Sequence, residues 1–219
     1  ECSAVTVTDI DGNVYETVQI GDQLWMKENL KTTHYSNGEE IPTGYYNSDW
    51  SDLTIGAYAI YNNDPSNAEI YGNLYNWYAI DDEREVCPDG WHLPSDDEYK
   101  QLEMYLGMSE EDADLMGNRG TDEGAKLKEA GTEHWNSPNT GTNETGFTAL
   151  PSGAYYPNNG GEFYQLGSNV IFYTSTESIT RELEHNTSFI TRSNYGPNNG
   201  FSVRCVESIE GCTDPLVTN

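Results

Sequence analysis

Positive charge is what this sequence has least of. Ten Lys and Arg stand against 37 Asp and Glu in 219 residues, a net charge of −27. Such a chain repels a phosphate backbone, which argues against nucleic acid as a partner, and it repels an anionic membrane surface for the same reason. Divalent cations, cationic surfaces and uncharged glycans remain open. Apolar residues are also scarce, at 35%, so the core is thin. No stretch approaches the roughly 20 apolar residues that a membrane-spanning helix needs. No signal peptide is visible, and Glu1-Cys2 reads as a mature terminus or a fragment boundary, so this absence does not argue against export. The four histidines, His34, His92, His134 and His185, show no HxxxH or HExxH spacing, which gives no zinc signature. A glycine-rich phosphate loop and a GxSxG elbow are missing as well.

The four cysteines contain no CxxC. An even count without metal spacing favours disulfides and an oxidising compartment. Four cysteines allow three pairings, of which we favour Cys87 with Cys205 and Cys2 with Cys212. Closing the long loop between Cys87 and Cys205 is worth roughly 5 kcal/mol in chain entropy, and the second bond would clasp the two ends of the domain.

Tyrosine (16), glycine (21) and asparagine (21) are abundant. These residues build loop-rich extracellular domains, and they also serve as adaptable binding surfaces. Alternation predicts strands over residues 5–10 and 14–20, with Asp11-Gly12-Asn13 as the hairpin turn. The Asp9/Asp11/Asn13 spacing lacks the glycine and distal glutamate of an EF-hand loop, so the hairpin is the better account. A third strand is expected at residues 23–26, then long loops with short strands through residues 31–65. Leu74, Trp77 and Tyr78 predict a helix over residues 72–80. Ser95 and Glu98 form a capping box, Tyr99, Leu102 and Leu106 a buried stripe, and Gly107 a stop. Weaker helices are expected over residues 109–116 and 121–130. Strands are expected at residues 147–150, 163–166, 170–175, 187–192 and 201–206. The order is an α+β pattern.

Eight strings then run in order along the chain. They include Val7 to Tyr15, Trp25-Met26-Lys27-Glu28-Asn29-Leu30, Tyr71 to Ala79, and Cys87-Pro88-Asp89-Gly90-Trp91-His92-Leu93-Pro94-Ser95. Lys126-Leu127-Lys128-Glu129 follows with His134-Trp135, then Thr145 to Gly153, Tyr173 to Glu177 and Asn199 to Val206. On these the chain resembles the Fibrobacter succinogenes major paralogous domain of secreted bacterial proteins. The resemblance implies a C-type lectin-like fold: a small twisted antiparallel sheet with two or three helices and long loops, related in shape to formylglycine-generating enzymes. It places the domain at residues 1–208. Residues 209–219 read as an acidic linker or the start of a surface-protein repeat.

The expected function is a non-enzymatic, extracellular or cell-surface module for ligand recognition or adhesion in bacteria, binding glycan or protein. The alternative is a structural subunit that polymerises with copies of itself into a filament or coat. An enzyme of formylglycine-generating-like fold is a distant third. Tyr155, Tyr156, Asn158, Asn159, Tyr164, Tyr195, Asn198 and Asn199 are expected in projecting loops that bind or assemble, because tyrosine offers a flat apolar face with a polar tip. Calcium is the candidate cofactor, at Asn139, Asn143 and Glu144, with Asp81, Asp82 and Glu83 as a second dense cluster. Asn143 and Asn186 head N-glycosylation sequons.

Overall fold

The alternating segments at the start form the expected hairpin. β1 (Thr6–Thr8) pairs antiparallel with β2 (Val14–Ile20), Val7 opposite Tyr15. The turn is tied by Asp9, whose carboxylate accepts from Asp11 N (3.0 Å), Asn13 N (2.9 Å) and Tyr15 Oη (2.6 Å). Gly12 sits at φ 84°, a region that glycine enters without a Cβ clash. The computed structural model describes residues 6–157 and 161–208.

β2 pairs with β3 (Gln23–Met26), as expected. The far end of the domain returns to this sheet: β13 (Val206–Glu207) lies between β3 and β6 (Trp91–His92), with Val206 opposite both Trp25 and His92. The sheet order is β1-β2-β3-β13-β6. Cys87 and Cys205 precede the neighbouring strands β6 and β13, and their sulfurs are bonded, with Cα atoms 6.0 Å apart across a sequence separation of 118. Cys2 and Cys212 lie outside the described residues.

The capping-box helix is present. α4 (Asp96–Tyr105) begins at Ser95, whose hydroxyl accepts from Glu98 N while Glu98 reaches back to Ser95 N. It packs beside a second antiparallel sheet of β10 (Asn169–Tyr173), β11 (Ile179–Glu184), β12 (Ile190–Asn194) and β7 (Gly117–Arg119). Glu103 of α4 is fully buried and pairs with two buried arginines, Arg119 of β7 (2.7 Å) and Arg181 of β11 (2.6 Å). Asp96 pairs with Arg181 (2.8 Å) and Arg192 of β12 (2.7 Å). Burial alone would raise the pKa of Asp96, but hydrogen bonds and charge from Arg192 and Arg181 outweigh it and hold it well below the usual carboxylate range.

Arg204 is the keystone between the two sheets. It is fully buried, donates to Asn29 Oδ1 (2.5 Å) and the Phe147 carbonyl, and lies 4.3 Å over the Phe147 ring. Burial lowers its pKa to about 10. Three of the sequence strings thus meet at one guanidinium.

Several expected elements changed. The segment 72–80 is not one helix: β5 (Leu74–Tyr75) pairs with β4 (Tyr58–Ala59), and only α3 (Trp77–Ile80) is helical. Gly72 at φ 76° breaks the chain beforehand, and a Cβ there would meet the Leu30 carbonyl at 2.7 Å. Asn76 starts α3 by accepting from Ala79 N (3.0 Å). Residues 147–150 form no strand: Ala149 makes a single bridge to Lys128, and Thr148 has φ 55°. β8 (Ala154–Tyr156), β7 and β11 appear where no strand was expected, β8 pairing with β9 (Glu162–Tyr164). Within residues 31–65, Trp50 is fully buried in α1 (Ser48–Ser51), and α2 (Pro65–Tyr71) begins at Asp64. The helices expected at 109–116 and 121–130 shorten to α5 (Glu110–Asp114) and α6 (Glu123–Leu127). No helix among the described residues is long and apolar enough to cross a membrane. The architecture is α+β, with antiparallel sheets and short helices.

Candidate functional site: an acidic cleft beside the disulfide

After α3 the chain enters the run Asp81-Asp82-Glu83-Arg84-Glu85. Asp81 closes the helix through its N–H to the Trp77 carbonyl, and Glu85 turns the chain at φ 55°. Arg84 folds back inside this run. It grips both oxygens of Asp82 (2.7 Å each) and Glu39 (2.6 Å), with its guanidinium carbon 3.9 Å from the Tyr35 ring centre. The hydrogen bonds from Arg84 hold Asp82 below the usual carboxylate range, and the same partners raise Arg84. Asp81, Glu83 and Glu85 are exposed, and none of the ion pairs among the described residues involves them.

The chain then plunges into the core at Val86 and Cys87. A turn at Pro88-Asp89-Gly90, closed by Trp91 N to the Pro88 carbonyl (2.9 Å), leads into β6. Together these segments wall a cleft of about 320 Å³. Its apolar side is Ile80, Val86, Trp91 and Leu93 over the disulfide half Cys87; its polar side is the acidic run with His92 and Ser175. The size suits a small organic group, and the charge suits a cation. His92 stands in the middle of a hydrogen-bonded line, its Nδ1 2.9 Å from Ser208 Oγ and its Nε2 2.7 Å from Glu98 Oε1. Burial pushes the Glu98 carboxyl up, but hydrogen bonds from His92 and Ser95 outweigh it and leave it lowered.

The residues expected to bind or assemble are placed elsewhere, and most face inward. Tyr155 is fully buried against Trp50 and Phe163, ring centres 5.1 and 4.7 Å away, and its hydroxyl accepts from Asn47 N. It belongs to the core, because the bridge of Tyr155 to Gly200 presses β8 onto the segment before Phe201. Tyr156 and Tyr195 are half-buried and meet Phe201 edge-on at 5.8 and 5.0 Å; burial raises both phenols. Asn198 spends its amide on the Ser51 and Leu53 carbonyls, and its own carbonyl accepts from Trp50 Nε1. Asn199 donates to the Gly196 carbonyl. Tyr164 is half-buried opposite Ala154 in the β8–β9 hairpin, its ring centre 5.9 Å from that of Tyr156. Asn158 and Asn159 lie outside the described residues.

The expected calcium residues serve their own loop. Asn139 Oδ1 accepts from Gly141 N (2.8 Å) and its amide donates to the Glu129 and Gly131 carbonyls. Asn143 Oδ1 accepts from Thr148 N (2.9 Å). These amide oxygens are occupied by backbone donors, and Glu144 points to a different cleft lined by Tyr105 and Lys126. Of the two sequons, Asn186 is exposed on a turn, whereas Asn143 is half-buried.

The sequence profile of the Fibrobacter succinogenes major domain matches residues 18–207. The chain belongs to this family. The matched span contains both halves of the disulfide, the whole acidic cleft, and the buried contacts of Arg204. Comparison with curated proteins and with solved structures gave no match. The dense acidic run was visible in the sequence as a cation candidate. That it borders a cavity on the disulfide was not, because residues 81–93 form it only by folding against Ser175.

Proposed function

We propose that the chain is a non-enzymatic recognition or adhesion module displayed outside a bacterial cell, with a C-type lectin-like arrangement of its sheets and loops. Its acidic cleft receives a basic side chain of a protein partner. The observation that carries this reading is the cleft itself. Three carboxylates without ion-pair partners rim a cavity whose opposite wall is apolar, and a lysine or arginine has that same division into an apolar stem and a charged head. The net charge of −27 draws such a partner in over long range. The buried disulfide supports an oxidising compartment.

Binding of a lysine-rich peptide, followed by calorimetry at 0.15 M salt, tests the proposal. Asp81→Asn, Glu83→Gln and Glu85→Gln together should weaken binding by about 3- to 150-fold, since each exposed charge contributes about 0.2–1 kcal/mol. The control removes three other exposed charges, on α5, by Glu110→Gln, Glu111→Gln and Asp112→Asn. Equal losses in the two triple variants would reduce the effect to net charge and sink the cleft as a site.

A further inference from the structure

A second feature, which shares no residue with the cleft, lies in the loop after α6. Among the described residues, three histidines sit in contact with a carboxylate: His34 with Asp11, His92 with Glu98, and His134 with Glu129. Only the last gathers a third ligating group. His134 Nδ1 lies 2.8 and 3.0 Å from the two oxygens of Glu129, and a ligand atom of Glu133 comes within 4.8 Å of both partners.

The loop that carries them is held from several sides. The Lys128 ammonium, one residue before Glu129, is buried on the Thr140 hydroxyl and the Glu184 and Thr187 carbonyls. Trp135, one residue after His134, is buried with its indole donating to the Ala149 carbonyl (2.9 Å). Asn139 clasps the Glu129 and Gly131 carbonyls from below. The ring of Tyr71, at the end of α2, stands edge-on to His134 with centres 5.8 Å apart. Glu129 and His134 are half-buried and preset, while Glu133 is exposed and free to close.

We propose that Glu129, Glu133 and His134 form a binding site for a borderline divalent cation of the zinc class. The imidazole sets the class: hard calcium prefers all-oxygen shells, whereas zinc takes mixed nitrogen and carboxylate donors. Donors arranged tetrahedrally at about 2.1 Å from zinc lie about 3.4 Å apart. The Glu129–His134 spacing already approaches that, and the exposed Glu133 side chain, with a ligand atom within 4.8 Å of both, closes the remainder. Three protein donors leave the fourth position to water or to a donor from a bound partner. The ion displaces any proton from His134 Nδ1 to solvent, so binding weakens in acid.

Zinc chloride titrated into the intact chain should bind with one equivalent and raise the melting temperature, because an ion bound only to the folded state stabilises it. Calcium chloride at the same concentration should not displace it. Glu133→Gln and His134→Ala should each weaken zinc binding by at least about tenfold, since even outer-shell changes at metal sites cost that much. His34→Ala and His92→Ala, which break the two-membered pairs, should leave it unchanged. Glu133 is exposed, so its variant keeps the fold and isolates the ligand effect. Absence of zinc binding, or affinity unchanged in both Glu133→Gln and His134→Ala, overturns the site. Equal weakening by His34→Ala or His92→Ala would do the same, by showing adventitious capture at surface histidines. The acidic-cleft triple variant should bind zinc like wild type, which keeps this proposal separate from the recognition reading.

Discussion

Replacing Cys87 and Cys205 together by alanine removes the covalent link between β6 and β13, and its effect can be worked from the chain. The bond closes a loop of 118 residues. Releasing that loop returns roughly 16 cal/mol/K to the unfolded ensemble, about 5 kcal/mol at 25 °C. Both sulfurs are buried, so each truncation adds a small void worth about 1 kcal/mol. Domains of ordinary stability hold about 5–15 kcal/mol in all, so the variant retains little. With a urea slope of about 2–3 kcal/mol/M, the midpoint should fall by about 2 M or more. The melting temperature should drop by about 15–30 °C. Changing both cysteines avoids a stray thiol and leaves Cys2 and Cys212 untouched. The assay is urea unfolding followed by tryptophan fluorescence, which Trp25, Trp50, Trp91 and Trp135 report from the three core clusters. A loss below about 2 kcal/mol would refute the argument, because the loop term alone exceeds it.

Three further outcomes follow from the buried charges and rings. Glu103→Gln keeps the side-chain shape but strips the anion from between Arg119 and Arg181, and unfolding should show a loss of about 3–5 kcal/mol. Tyr155→Ala should lose about 3–5 kcal/mol as a core truncation, whereas Tyr164→Ala should keep a near-wild-type urea midpoint; the reverse order would restore Tyr155 to the surface. Stability should pass through a maximum in mild acid. Burial raises Glu182, so the folded state takes up a proton before the unfolded one as pH falls from neutral, and stability rises. Asp96 is depressed, so below its unfolded value near 4 its contribution is lost as pH falls further; Asp96→Asn should flatten that acid limb in urea midpoints measured across pH.

Local chemistry was legible wherever it acts over a few residues. Asp11-Gly12-Asn13 dictates the hairpin, since its turn is closed by Asp9 at hydrogen-bond range. Ser95 and Glu98 dictate the start of α4 because the capping box is complete within four residues. The preference for Cys87 with Cys205 matched the bond, and the order of the eight strings identified the family. Composition alone also established the acidity that any partner must meet. What depends on distant packing was not legible. Nothing in Ala154-Tyr155-Tyr156 says whether the rings project or pack; the bridge to Gly200 and the neighbouring Trp50 turned them inward. Leu74, Trp77 and Tyr78 have helical spacing, yet β4 captured Leu74 and Tyr75 as a strand, because a ladder across the chain competes with a marginal short helix. Glu129, Glu133 and His134 lie in an irregular loop where no periodic rule relates spacing to facing direction. Their convergence, like the cavity walled by residues 80–93 and Ser175, exists only once Trp135 and the disulfide have fixed the backbone around them.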